Sequence, residues 1–315
     1  MMNKHTKIFL AGHNGLVGAS ILDALKGEGY DNILTADRKE LDLLSQYAVE
    51  SFFSLHKPEV TILAAAKVGG IGANMAYPAQ FIYENSTIQN NVIHSSYKYG
   101  VKNFIFLGSS CIYPRECFQP MKEDYLLTGS FEPTNEGYAI AKISGIKMLE
   151  YYKKQYKFQS VSLIPCNLYG PKEKFDLENS HVLSALIKRF CDAKKENKGV
   201  VKLWGNGSAK REFMHVNDLA RGVLMIMNKT HSYNVLNIGT GVDLTIKELA
   251  ELIKKEVGYE GEIEWDDTKP NGMPRKCMDI SKMSKLGFSP QIKLIEGIRE
   301  MVLSYSSGLN FKKIK

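Results

Sequence analysis

Apolar residues run almost unbroken at positions 7–12 (KIFLAG), 33–37, 60–66, 104–109 and 160–166. Continuous runs, as opposed to alternation, predict strands covered by helices on both faces. The stretches between them carry helical periodicity, at 16–25 after the first strand and from about 136 to 157 before the fifth. Regular β-α alternation predicts an α/β fold with a doubly wound, parallel, Rossmann-type sheet.

The pattern breaks at Leu168-Tyr169-Gly170-Pro171, and residues 168–212 are mixed and polar. Positions 213–227 and 235–239 read as a further helix and strand of the main sheet. A helix at about 245–256 follows, with Thr245 as N-cap and Glu248 completing a capping box. The expected organisation is one domain of residues 1–167 plus about 213–240, and a smaller, discontinuous α/β domain of about 168–212 plus 241–315.

Hydrophobic residues at 44% and charged residues at 24% are the balance of a globular chain. The first residues show neither a secretory signal nor an apolar run of about 20 residues, so a cytoplasmic protein without a membrane segment is expected. Cys111, Cys117, Cys166, Cys191 and Cys277 form no CxxC pair and no spaced set with histidines, which argues against a zinc site or a disulfide framework. The formal charge of +7 is spread along the chain, with a cluster only at 311–315. That distribution argues against nucleic-acid binding and suits ligands that carry diphosphates.

Gly12, Gly15 and Gly18 follow the first strand with the spacing G-x-x-G-x-x-G, where missing side chains allow a tight turn and a close approach to a pyrophosphate. The first domain is therefore expected to bind a dinucleotide. Asp37, at the end of the second strand, would accept hydrogen bonds from a ribose and favour NAD. Arg38 beside it would favour a 2′-phosphate, so NADPH and NADH both stay open. Asp42 and Leu43 are expected near the adenine.

Tyr138 and Lys142 are four residues apart on one helix, so both project toward one spot. A cationic lysine is expected to lower the phenol's pKa and make it a usable acid for an alkoxide formed by hydride delivery. Ser109, expected at the end of the fourth strand, would hydrogen-bond the same carbonyl. The glycine turn, Ser109 and Tyr-x-x-x-Lys together resemble the short-chain dehydrogenase/reductase family in order and spacing.

The resemblance narrows at GSSCIYP (108–114), EPTNEGYAIAK (132–142), NLYGP (167–171), AAAKVGGI (64–71), NSHV (179–182), WG (204–205), REF (211–213) and KPNGMPRK (269–276). These segments resemble the GDP-L-fucose synthases, over almost the whole chain. The resemblance implies a GDP-linked 4-keto-6-deoxy sugar as substrate, NADPH as cofactor, epimerisation at C3 and C5, and reduction at C4. It makes Ser109, Tyr138 and Lys142 the reductase triad, and Cys111 and His181 the acid/base pair. It places Gly12, Asn14, Gly15, Leu16, Val17, Gly18, Asp37, Arg38, Asp42, Leu43, Ala64, Ala65, Lys142 and His181 around the cofactor. Asn167, Val182, Arg189, Trp204, Arg211 and Lys276 would line the GDP site, Arg211 and Lys276 near the diphosphate. No metal is implied, and the helices before the fourth strand and around Tyr138 would form a homodimer.

Two positions depart from the family pattern. Gly137 stands where proline is common, which loosens the loop before Tyr138 and is expected to reshape the sugar pocket. Asn14 stands where arginine is often found, removing a cation from the cofactor site. A reductase without epimerase activity, acting on a GDP-4-keto-heptose or 6-deoxyheptose for surface polysaccharide, is the nearest alternative. A non-catalytic nucleotide-binding sensor is the third reading.

Overall fold

The first strand forms where four consecutive buried residues, Ile8–Ala11, leave no polar face to expose. The same holds at Val60–Leu63 and Ser160–Pro165. A computed structural model describes residues 2–173, 175, 181–229, 232–269 and 272–307. Asn179, Ser180, Pro270, Asn271 and the basic cluster at 311–315 lie outside the described residues.

In chain order the strands are β1 (Ile8–Ala11), β2 (Ile33–Leu34), β3 (Val60–Leu63), β4 (Asn103–Leu107), β5 (Ser160–Pro165), β6 (Asn167–Tyr169), β7 (Val200–Trp204), β8 (Lys210–His215), β9 (Val235–Ile238), β10 (Asp243–Thr245), β11 (Glu262–Asp266) and β12 (Arg275–Lys276). The helices are α1 (Leu16–Gly27), α2 (Gln46–His56), α3 (Ile71–Ala76), α4 (Pro78–Lys98), α5 (Glu136–Tyr156), α6 (Val182–Lys195), α7 (Val216–Met227), α8 (Ile246–Val257), α9 (Ser281–Lys285) and α10 (Leu294–Ser306). Six strands form a parallel sheet in the order β2-β1-β3-β4-β5-β9. Helix α1 packs on α7, while α4 packs on both α2 and α5, so helices flank the sheet. The doubly wound architecture is as expected.

In this order the sheet grows outward in opposite directions from β1 and β3, so a crevice opens beyond their carboxyl ends. The glycine turn leaves β1 at that point and Ala64 and Ala65 leave β3 there. The other strands form smaller sheets: β10 and β12 flank β8, which also pairs with β6, and β11 pairs with β7. A second core of Tyr169, Leu183, Ile187, Phe190, Phe213, Leu249, Ile253 and Met301 lies under them. Met278, Met283 and Phe288 return to the main core.

Three local expectations change. β2 stops at Leu34, because from Thr35 the chain is polar and half-buried, and Asp37 falls in a turn. β4 ends at Leu107, so Ser109 lies beyond it as the cap of a short 3₁₀ turn, Ser110–Ile112. Phe213 belongs to β8, whose pairing carries it into the second core, and the next helix begins only at Val216, capped by the His215 side chain. The capping box at Thr245 and Glu248 is formed as expected.

One fully buried carboxylate ties these sheets to the main fold. Glu212 Oε1 accepts the N–H groups of Thr240 and Gly241, and Oε2 accepts that of Met278 at 2.7 Å. Asn167 Nδ2 donates to its backbone carbonyl at 2.8 Å. Burial raises the Glu212 pKa, against the pull of the backbone donors. Glu212→Ala leaves three N–H groups without their acceptor, that of Met278 buried, and is expected to lower unfolding stability by about 1–3 kcal/mol in urea titration. A variant as stable as the parent would show that the carboxylate does not hold these segments together.

Candidate active site

Helix α5 begins beside the carboxyl end of β4 and presents Tyr138 and Lys142 one turn apart. Lys142 is buried; its Nζ donates to the Leu107 carbonyl at 2.8 Å and lies 4.7 Å from the Phe106 ring centroid and 5.9 Å from that of Tyr138. Burial lowers its pKa to about 7. Tyr138 packs edge-on to Phe81, with centroids 6.3 Å apart, and pairs with Ser109. Its pKa is raised by burial and by nearby Cys111, while the Ser109 bond pulls it down. This corrects the expectation that Lys142 draws the phenol down: the ammonium is turned to a backbone carbonyl, and desolvation dominates.

Cys111 sits in the 3₁₀ turn that Ser109 caps, and its N–H donates to Ser109 Oγ at 3.3 Å. Two donors reach its sulfur, Asn135 Nδ2 at 3.2 Å and Lys276 Nζ at 3.8 Å. Lys276 thus stands beside the thiol, a neighbour its expected place near a diphosphate did not suggest. His181 caps the start of α6, where protein atoms crowd it but water still reaches it. That crowding lowers its pKa, so the imidazole is neutral at pH 7. Among the described contacts none joins His181 directly to Cys111 or Tyr138.

The glycine turn is shaped for a close backbone approach. Gly12 has φ +91°, and a Cβ there would stand 2.6 Å from the Ala65 nitrogen; a Cβ at Gly18 would strike the Gly12 carbonyl. Gly15 caps α1 with no side-chain hydrogen bond, leaving the first N–H groups of that helix, from Leu16 and Val17, for an anion. These residues, with Asn14, Ala64 and Ala65 along the crevice, fit the pyrophosphate of a dinucleotide. Asp37 Oδ1 accepts the N–H groups of Lys39 and Glu40 at 2.7 and 3.1 Å, bonds that hold its pKa down. Arg38 and Lys39 are exposed next to it. Asp42 caps its own turn through Leu44 N, and the Leu43 carbonyl accepts from Asn91 Nδ2 at 2.9 Å.

The residues expected around the nucleotide fall into two groups. β6, β8 and β12 bring Asn167, Arg211 and Lys276 onto one sheet, with Lys276 directly across from Arg211. Arg211 Nη1 donates to the Met273 carbonyl at 2.6 Å, and burial lowers its pKa. Arg189 Nη1 donates to the Lys202 carbonyl at 2.9 Å on β7, the strand that ends in Trp204. Trp204 is 65% exposed, with Lys269 Nζ 5.9 Å from its ring, and Val182 opens α6 half in solvent. An exposed indole of that size is a surface on which a base can stack.

Gly137 faces helix α4. A Cβ there would meet the Pro78 carbonyl at 3.1 Å and Ile82 at 3.7 Å, so the missing side chain eases the contact of α5 with α4. Two residues were missed at the level of sequence. Asn135 stands in the segment 132–142 and its spacing from Tyr138 carries no periodic signal. Glu212 follows Arg211 and reads as an ordinary strand charge. Among the described residues no group of three His, Cys, Asp or Glu side chains could hold a metal, and no helix is long and apolar enough to cross a membrane.

Comparison with known proteins places this geometry. Residues 8–239 match the NAD dependent epimerase/dehydratase family. The putative GDP-L-fucose synthase 2 of Arabidopsis thaliana is 52% identical over 313 residues, covering 99% of this chain and 95% of the relative. The GDP-L-fucose synthase of Escherichia coli (strain K12) is 46% identical over 301 residues, covering 93% and 94%. The GDP-mannoheptose C4 reductase of Campylobacter jejuni, solved with NADP bound, superposes with a TM-score of 0.89 at 38% identity, covering 97% of this chain and all of that one. On its shared fold, its glycine turn and its likeness along nearly its whole length, the chain belongs to the GDP-L-fucose synthase family, within the NAD dependent epimerase/dehydratase family.

Proposed function

We propose that the protein uses NADPH to reduce C4 of a GDP-4-keto-6-deoxy sugar after epimerising C3 and C5, yielding GDP-L-fucose. The observation that carries this is the meeting, at the carboxyl end of β4, of Ser109, Tyr138 and Lys142 with the Cys111 sulfur. A reductase needs the first three; an exposed proton-transfer group beside the same carbonyl is what an epimerase adds. NADPH is favoured over NADH by Arg38 and Lys39, and by the NADP bound to the heptose reductase of similar fold.

A 4-keto group acidifies the protons at C3 and C5, because the carbanion left behind delocalises onto the ketone oxygen. Cys111 and His181 are the pair that exchanges those protons. When bound, NADPH supplies the hydride that C4 accepts. Tyr138 then gives its proton to the oxygen, and its raised pKa ensures that the proton is there to give. Ser109 donates to the same oxygen and holds it in line. Arg211 and Lys276 lie across from each other to meet the anionic nucleotide, and Trp204 offers its open face to the base.

Reduction alone, on a GDP-4-keto-heptose, is the second reading, favoured by the 38% identity to a GDP-mannoheptose C4 reductase. We further propose a homodimer formed through α4 and α5, supported by exposed Tyr83, Tyr151 and Tyr156 on these two helices. Five unpaired cysteines support a reducing compartment, the cytoplasm.

Lys142 gives a pH test of the site. Its pKa is about 7 folded against an ordinary 10.5, so the unfolded chain binds more protons between those values. The cost of burying the ammonium is therefore complete below pH 7 and fades as the pH rises toward 10. Lys142→Met is expected to melt at a higher temperature than the parent at pH 6, with the difference shrinking by pH 9, and to lose roughly 100-fold or more in turnover. Equal melting temperatures at both pH values would show that the ammonium is not desolvated.

The function itself is tested by mixing the protein with GDP-4-keto-6-deoxymannose and NADPH or NADH in deuterated water, then following cofactor oxidation and reading the product by NMR. Deuterium at both C3 and C5 in a GDP-L-fucose product is expected, with NADPH the faster reductant. Oxidation without deuterium would replace the proposal by the reductase reading, and oxidation only of a GDP-4-keto-heptose would fix the larger sugar as substrate.

A further inference from the structure

Asn135 ends the 3₁₀ turn Pro133–Asn135, which packs against α3, and stands three residues before Tyr138. It is the N-cap residue of α5, yet its side chain makes no capping hydrogen bond. Instead Nδ2 donates to Cys111 Sγ at 3.2 Å. The other end of the same amide, Oδ1, is buried and has no hydrogen-bond partner among the described residues. A buried amide oxygen left unpaired costs about 1–3 kcal/mol, so a side chain that forgoes its cap and keeps such an atom is held for a partner that arrives. Asn at an N-cap ordinarily satisfies an N–H of the first turn. Here that bond has been given up for a sulfur.

The Lys276 ammonium also reaches the sulfur, at 3.8 Å. Arg211 and Tyr138 also feel its charge. A carboxylate in place of the Asn135 amide would repel an anionic sulfur, whereas the amide N–H steers it without adding charge.

We propose that Asn135 is the positioning residue for Cys111 and at the same time a sugar ligand, its N–H aiming the sulfur at the carbon to be deprotonated and its Oδ1 accepting a hydroxyl of the same sugar. This rests on the epimerising reading above. In the step it serves, the sulfur acts as a thiolate with the Lys276 ammonium as counterion. The C–H bond breaks, its proton forms an S–H bond, and the electron pair delocalises onto the C4 oxygen as an enolate. Reprotonation of the carbon from the opposite face by a solvent-exchanged donor inverts the centre. Because one planar amide touches both base and substrate, the distance between sulfur and ring carbon is set by the amide's own dimensions.

The test separates proton exchange from reduction. Parent protein, Asn135→Ala, Asn135→Ser and Asn135→Asp are each given GDP-4-keto-6-deoxymannose and NADPH in deuterated water, with NADPH binding followed by fluorescence as a check that the fold is intact. Removing the amide is expected to raise the KM for the sugar and to slow deuterium entry at C3 and C5 about tenfold or more, while NADPH oxidation at saturating sugar stays within about threefold and delivers a C4-reduced product without deuterium. Asn135→Asp is expected to be as impaired in exchange as Asn135→Ala despite its matching size. Equal loss of exchange and reduction in variants that bind NADPH would assign Asn135 to holding the start of α5 and overturn the proposal, as would unchanged exchange. If the parent itself incorporates no deuterium, the epimerising reading fails and the proposal with it; if the parent exchanges and the variants do too, only the proposal fails.

Discussion

An ammonium buried against the end of a strand sets the distance between the sheet and the reacting groups. Lys142 has no carboxylate partner among the described residues; it is held by the Leu107 carbonyl and the face of Phe106. A charge in such a place is tolerated only where a dipole and a ring quadrupole face it, and both belong to β4. The bond therefore pins α5 to the last residue of β4. Tyr138, Asn135 and the turn that holds Ser109 and Cys111 take their places from that junction. Helix α4 braces it from the other side: Gln89 Nε2 donates to the Ala141 carbonyl at 2.6 Å and to Ser144 at 2.9 Å, and a Cβ at Gly145 would stand 2.8 Å from the Gln89 side chain. A side chain at 145 would push the Gln89 amide away from these bonds.

The second half of the site hangs on Glu212. Its carboxylate gathers the segments after β9 and after β12, and its carbonyl gathers Asn167, so the strand that carries Arg211 is fixed relative to the one that carries Lys276. Lys276 then reaches across to Cys111, which belongs to the first half. A residue anchored in the sheet of β8 thus lies beside a thiol anchored at the parallel sheet. Displacement of either half would move the cation from the sulfur.

The sequence made the parallel sheet legible because continuous apolar runs have few other uses, and it made the glycine turn legible because Gly12 and Gly18 face backbone that no Cβ could approach. Tyr138 and Lys142 were legible as a spacing. Their protonation was not, since it depends on a carbonyl at Leu107 and on a depth of burial that spacing does not encode. The ends of β2 and β4 were read too long, because where pairing stops depends on the neighbouring strand and not on a segment's own composition. Phe213 looked helical, but it pairs along β8 once β6, β10 and β12 gather around that strand. Asn135 and Glu212 were invisible because their partners come from residues far off in the chain or from backbone donors, which a local pattern does not contain.

The same burial that organises the fold also sorts its titrating groups into roles. Desolvation acts in opposite directions on acids and bases: it raises Tyr138, lowers Lys142 to about 7, and lowers His181. At pH 7 the phenol keeps its proton and the imidazole lacks one. A proton donor and a proton acceptor are thus present together under one condition, which a single environment acting on identical groups could not provide. The phenol faces Ser109 at the end of β4, and the imidazole stands at the start of α6, on the other core. The same desolvation that keeps a proton on the phenol keeps one off the imidazole, so one constraint of packing supplies both protonation states.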